Sequence, residues 1–277
     1  MPLRKAPIPV SCISDFMYLC AMQFIDTHTH LYLDELDADR TESISRAKLA
    51  GVEIFLLPNI DSLSIEPLLN LADMFPDNCL PMVGLHPTSV KENYQDELQI
   101  VESHLKKRKF YAIGEIGIDL YWDKTFLEQQ QIAFRHQLKL AKASKLPVAI
   151  HMRNSFDQTY SIILEEADGN LQGVFHCFPG NIQQAKKVTD LGFFLGIGGV
   201  VTFKNSGLQQ VVKQIPLEYI VLETDAPFLA PDPYRGKRNE SSYILLIAEK
   251  IASLKEIPLS EVAQITTANA KRLFNFS

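Results

Sequence analysis

No apolar stretch in the 277 residues approaches the length needed to cross a bilayer, which argues against an integral membrane protein. Cysteine is scarce. The four present (Cys12, Cys20, Cys79, Cys177) form no CxxC pair and no spacing that suggests a disulfide framework, so a reducing compartment and a cytoplasmic location are expected. An excess of positive charge is also missing. The formal net charge is −6, which argues against a general nucleic-acid coat but leaves room for a local basic patch beside a site. There is no low-complexity tract and no internal repeat at solenoid periods. What is present, 46% hydrophobic and 22% charged residues, is the profile of an ordinary soluble globular protein long enough for one α/β barrel.

The N-terminus differs from the rest. Residues 1–21 carry Arg4 and Lys5 and a loosely apolar stretch that Asp15 interrupts, so no clean signal-peptide core results. Residues 1–22 are read as an extension, either disordered or the product of a start codon upstream of Met22, and residues 23–277 as one hydrolase barrel.

From Phe24 onward, eight short apolar runs alternate with helix-length amphipathic segments. They fall at 24–27, 52–58, 79–84, 110–114, 147–150, 172–176, 193–197 and 219–223. Rich in Val, Ile, Leu and Phe without strict alternation, they match parallel strands buried on both faces. Between them, Ile44, Ala47 and Ala50 recur at helical steps, as do Phe126, Gln130, Phe134, Leu138 and Ala141. Asp61 and Asn181 precede helices, Gly51 and Gly192 follow them, and Pro258 opens an extra helix at the C-terminal end. The expected fold is α/β, a single (β/α)8 TIM-type barrel, with an open doubly wound sheet as the alternative.

Ligands in such a barrel belong at the C-terminal ends of strands. Of seven histidines, His28 and His30 follow the first run, His86 the third and His151 the fifth, and His176 ends the sixth; only His104 and His136 lie within helices. Glu115 follows the fourth run and Asp225 the eighth. Charge at buried strand ends is rare unless it is paired or binds metal. In the H-x-H pair, residues two apart on an extended chain share a face. Cys177, the neighbour of His176, is read as packing on the opposite face.

Four imidazoles and two carboxylates exceed what one tetrahedral site with an open position needs. A two-ion cluster accommodates them: His28, His30 and Asp225 on one ion, His151 and His176 on the other, with Glu115 bridging. Imidazole suits Zn, Mn, Fe or Ni better than Mg or Ca, and the sequence leaves the metal open.

In order and spacing, the blocks FIDTHTHLY, GLHP, AIGEIGIDLYW, PVAIHMRN, GVFHCFPG, VLETDAPFLAP and RGKRNE resemble the TatD family of metal-dependent deoxyribonucleases, within the amidohydrolase-type barrel superfamily. The resemblance runs from about Phe24 to the C-terminus. It implies that His28, His30, Glu115, His151, His176 and Asp225 fall on the family's metal ligands, with Glu115 at the bridging position. One departure is Ser241, where the family usually has proline. The resemblance also implies DNA cleavage, an activity established for some members of the family.

The expected activity is divalent-metal-dependent hydrolysis of a phosphodiester, DNA or a smaller one, by attack of a metal-bound hydroxide. Asp225 and Glu115 would take part in catalysis. His86 either donates a hydrogen bond to a substrate oxygen or caps its loop. Glu223 either supports a ligand from behind or forms a plain salt bridge. Arg153, Arg235, Lys237 and Arg238 are the candidate phosphate contacts. Tyr121 and Trp122 offer a surface for a base, though Trp122 equally suits packing under the rim. The basic run Lys106–Lys109 ends a helix on the far side of the barrel, where cations complement the helix dipole. No obligate protein partner is evident. The alternative activity is cleavage of an amide or ester by the same metals.

Overall fold

The apolar runs become eight strands: β1 (Phe24–Asp26), β2 (Val52–Leu57), β3 (Cys79–Pro81), β4 (Ile113–Asp119), β5 (Val148–Arg153), β6 (Gly173–Phe175), β7 (Phe194–Ile197) and β8 (Ile220–Leu222). This computed structural model describes residues 22–276, so the expectations for 1–21 lie outside the described residues. Every pairing is parallel and between sequence neighbours, β1 to β3 in one sheet and β4 to β8 in another. Backbone hydrogen bonds join the two sheets at both edges. Gly114 N donates to Val83 O at 3.0 Å on one side, and Thr27 N donates to Leu222 O at 3.0 Å on the other. The result is the expected barrel rather than an open sheet.

Nine helices accompany the strands among the described residues: α1 (Arg40–Leu49), α2 (Ser62–Met74), α3 (Tyr94–Lys107), α4 (Leu127–Ser144), α5 (Phe156–Glu166), α6 (Ile182–Asp190), α7 (Leu208–Gln214), α8 (Ile244–Lys255) and α9 (Leu259–Phe274). Asp61 and Asn181 each close a capping box at the start of α2 and α6, satisfying amide groups that have no partner inside the helix. Gly51 takes φ +89°, a conformation that ends α1 without the cost a side chain would bring.

Two apolar layers result. The larger lies between strands and helices. The smaller fills the barrel with residues from seven of the strands, Ile25, Leu56, Leu80, Ala149, Val174, Phe194 and Val221, and with Met82 and Ala112 beside β3 and β4. Leu273 and Phe274 of α9 join this inner cluster, so the extra helix plugs the barrel end opposite the strands' C-termini. Asn269 fastens it, donating to Leu217 O at 2.9 Å and Ile220 O at 2.7 Å.

One strand lies elsewhere than expected. Instead of ending at Gly114, β4 runs through Glu115 to Asp119, with all seven residues buried and Gly117, Ile118 and Asp119 in register with His151, Met152 and Arg153. Glycines and carboxylates make this segment look like a loop. It pairs as a strand because imidazoles from neighbouring elements meet its charges. Two buried glutamines of α4 fix the adjacent backbone: Gln130 Oε1 accepts from Asp119 N at 2.9 Å, and Gln137 Oε1 from Leu85 N at 2.7 Å.

Candidate metal centre

Six strands and the turns that follow them bring polar side chains to one point. The two oxygens of Glu115 face different histidines. Oε2 lies 3.1 Å from His28 Nε2 and 3.8 Å from His30 Nε2; Oε1 lies 2.8 Å from His151 Nδ1, 3.4 Å from His86 Nε2 and 3.6 Å from His176 Nε2. Asp225 Oδ1 closes the first group, 3.5 Å from His30 Nε2 and 3.8 Å from His28 Nε2. Asp225 reaches this position from a left-handed turn (φ +58°) after β8, its amide donating to His28 O at 2.9 Å. All six residues expected as ligands are therefore brought together, and His86 with them.

A ligating imidazole keeps one nitrogen for the ion and engages the other elsewhere. His151 Nε2 is 2.8 Å from Asp119 Oδ2. His30 Nδ1 is 3.0 Å from the Tyr32 hydroxyl, which donates to Pro58 O at 2.6 Å. His176 Nδ1 is 3.1 Å from Glu223 Oε1, an ion contact whose angle falls short of a hydrogen bond, and the Cys177 amide donates to that same oxygen. Glu223 thus lies directly behind the His176 ring. His28 Nδ1 is buried without a partner.

Asp119 and Tyr32 were missed in the sequence. The signal was present, since each lies an even number of residues from a ligand on the same chain segment, Asp119 four from Glu115 and Tyr32 two from His30. Asp26 was missed too. Fully buried, it accepts from Thr224 N at 2.9 Å and Thr224 Oγ1 at 2.6 Å, tying β1 to the turn that carries Asp225. Burial raises its carboxyl to about 7 against those hydrogen bonds.

The electrostatics of the cluster call for added positive charge. Burial opposes ionisation of Glu115, yet the imidazoles of His86, His176 and His28 hold it well below the usual carboxylate range. Burial would likewise lower His176, but Glu223, Glu115 and Asp225 override it and raise the imidazole to about 10. In the metal-free chain a proton on His176 supplies charge that a divalent ion would supply in its place. Among the described residues, four groupings of donors lie close enough to share an ion: His28, His30 and Asp225; His28, Glu115 and His176; His86, Glu115 and His151; and His176, Cys177 and Glu223. The donor set fits a divalent metal with imidazole preference.

Above the cluster opens a cavity of about 540 Å3 lined by Asp119, Trp122, Arg153, Phe178 and Phe228 beside the ligands. Arg153, at the end of β5, stacks on the Tyr121 ring at 3.8 Å and lies 5.3 Å from the Trp122 ring. Both aromatics are exposed, so Trp122 stands on the rim rather than packing under it. Cys177, expected as packing, also lines the cavity, because a left-handed turn (φ +42°) replaces the extended segment assumed for it.

The other three cations do not line the cavity. Arg235 stacks on Phe203 at 4.3 Å, and Lys237 lies 6.0 Å from the Tyr234 ring. Arg238 forks onto Asp39 at 2.6 and 2.9 Å and reaches Glu240 at 3.1 Å. Ser241, the departure noted above, is buried with Oγ 3.2 Å from Thr29 Oγ1, between the loops that follow β1 and β8. The basic run Lys106–Lys109 closes α3 at the far end, where Arg108 lies 2.9 Å from Asp73 and Lys109 sits over the Tyr111 ring.

Known proteins share this architecture and most of its length. The metal-dependent hydrolase YabD of Bacillus subtilis is 40% identical over 253 residues, covering 91% of this chain and 99% of that one. YjjV of Escherichia coli is 33% identical over 256 residues, covering 91% and 98%. The crystal structure of YjjV, a TatD homologue, superposes with a TM-score of 0.86 over 92% of this chain and 98% of that one. A TatD-family hydrolase from Entamoeba histolytica superposes at 0.79 with 25% identity, covering 91% and 98%. The profile described as "TatD related DNase" matches residues 25–275. Strand-end histidines gathered around one buried glutamate are thus the work of a metal-dependent hydrolase, and the chain belongs to the TatD-related DNase family.

Proposed function

We propose that the protein hydrolyses phosphodiester bonds, with DNA as the substrate, using two divalent ions. His28, His30 and Asp225 would hold one ion and His151 and His176 the other, with Glu115 between them. The observation that carries the phosphodiester reading is Arg153. It is a cavity-lining guanidinium stacked on Tyr121, with no carboxylate partner among the described residues. A planar fork of donors beside a metal centre matches a pair of phosphate oxygens better than the single carbonyl oxygen of a neutral amide. The family to which the chain belongs is described by DNase activity, which supports DNA as the substrate.

Bound ions would acidify water and neutralise charge on the phosphate. Around them the chain's own groups act as follows. Arg153 binds a non-bridging phosphate oxygen, and Tyr121 keeps its fork in plane. Asp225 takes the proton from the attacking water as the new P–O bond forms. The bond to the leaving oxygen breaks, and that oxygen is protonated from solvent through the open cavity. Trp122 and Phe228 screen one side of the site and offer faces to a base.

The test uses metal-loaded protein on single-stranded DNA, a small phosphodiester and an acyl amide. Phosphodiester turnover is expected, falling in Arg153→Ala through a raised KM with metal content unchanged. Amide turnover without phosphodiester turnover would establish the alternative and end this reading.

A further inference from the structure

His86 sits among the ligands and, by distance alone, could be one. Its Nε2 is 3.2 Å from His151 Nδ1 and 3.4 Å from Glu115 Oε1, and it belongs to one of the groupings able to share an ion. Its other nitrogen decides otherwise. His86 is the N-cap of a short 3-10 turn (Pro87–Ser89), and its Nδ1 accepts from the Thr88 amide at 3.2 Å. A backbone N–H can only donate, so Nδ1 must present its lone pair. The Thr88 hydroxyl lies 2.6 Å from the same nitrogen, placed to donate as well. With Nδ1 filled as an acceptor, the ring's one proton sits on Nε2, where a metal ligand would need a lone pair.

We propose that His86 is a hydrogen-bond donor and not a metal ligand. Its Nε2–H, which lies beside Glu115 Oε1 and His151 Nδ1 in a side chain that lines the cavity, serves a phosphate oxygen of the substrate, and Thr88 is the positioning residue that locks the tautomer. The donor role rests on the phosphodiester reading above; the tautomer does not. The turn that caps its loop and the group that meets the substrate are one device, which unites two roles for this residue that the sequence had left as alternatives. The contrast with its neighbour is informative. His151 turns Nδ1 inward and gives Nε2 to a carboxylate, which accepts a proton and frees the inner nitrogen for an ion. His86 gives its outer nitrogen to two donors, which has the opposite effect on the inner one.

The test begins with nitrogen NMR of histidine-labelled protein loaded with cadmium-113. The expected spectrum has His86 Nε2 protonated, Nδ1 unprotonated and no cadmium coupling to His86, while His151 and His176 couple. An unprotonated Nε2, or coupling from it to cadmium, overturns the proposal. A second measurement compares His86→Ala with His86→Gln, whose amide can still donate. Both should keep the parent's metal content. Ala should lower kcat about 10²-fold with a smaller change in KM, and Gln should restore most of it. Loss of an ion in His86→Ala, or no rescue by Gln, also overturns it. If the parent cleaves no phosphodiester, the functional reading fails, and the spectrum still decides the tautomer.

Discussion

At the scale of single residues, the site is governed by what stands behind each ligand. Asp119 holds His151, so Asp119→Ala should weaken metal binding about 10- to 100-fold, measured by competition with a chelating dye. The fold should survive, since Asp119 is replaced by a smaller side chain at the cavity edge. Glu115→Ala removes the carboxylate shared by both groups of histidines and should abolish metal retention and hydrolysis together, checked by metal analysis after dialysis. Retention of two ions per chain would overturn the bridging role.

His176 makes the pH dependence specific. Its imidazole is raised from 6.5 to about 10 in the metal-free chain, so the stabilisation it provides is complete below 6.5 and is lost as pH rises toward 10. An ion needs the neutral ring, so metal uptake should expel a proton in that range. Apparent affinity should then climb with pH by up to about tenfold per unit. Calorimetric titration in two buffers of different ionisation enthalpy reads the proton directly. Proton-neutral binding at pH 7 would refute the assignment.

At the scale of elements, loops after different strands are tied to one another rather than to substrate. Arg238 and Arg46 form a ring of ion pairs with Asp39 and Glu240, linking the start of α1 to the loop after β8. The groups are partly exposed, so solvent screening limits an Arg238–Asp39 coupling to roughly 1 kcal/mol. A double-mutant cycle in urea should find a coupling of that size, weakened by salt. Raised KM without any loss of stability would restore Arg238 as a phosphate contact. Strand β7 offers a second case. A Cβ on Gly196 would lie 2.2 Å from Glu223 Oε2, so Gly196→Ala should displace Glu223 from His176 and weaken metal binding without touching a ligand. Metal titration of that variant checks this, and unchanged affinity would show that Glu223 is dispensable.

At the scale of the whole molecule, one metal centre draws on β1, β4, β5, β6 and the turn after β8, so its occupation should stabilise the barrel as a unit. An ion at 100 times its dissociation constant contributes about 2.7 kcal/mol, worth roughly 5 °C in Tm for a chain of this size. Calorimetry with and without chelator should show a single transition that shifts. Separate transitions for the three-stranded and five-stranded sheets would mean that their edges do not close cooperatively.

Periodicity and strand-end placement determined much of this protein in advance. Eight apolar runs implied the barrel, and the barrel's polarity singled out His28, His30, His151, His176, Glu115 and Asp225, because side-chain chemistry and strand position are local properties of a sequence. Contacts between distant segments are not local, and only the tertiary structure decided them. It extended β4 through Glu115, where burial of a carboxylate depended on histidines from other strands. It placed Asp119, Tyr32 and Glu223 behind the ligands. It turned Arg238 toward Asp39, 199 residues away, and left Arg153 facing the cavity. Charge in a sequence has a sign and a position but no partner; folding chooses the partner, and with it whether a cation binds a substrate or holds a loop.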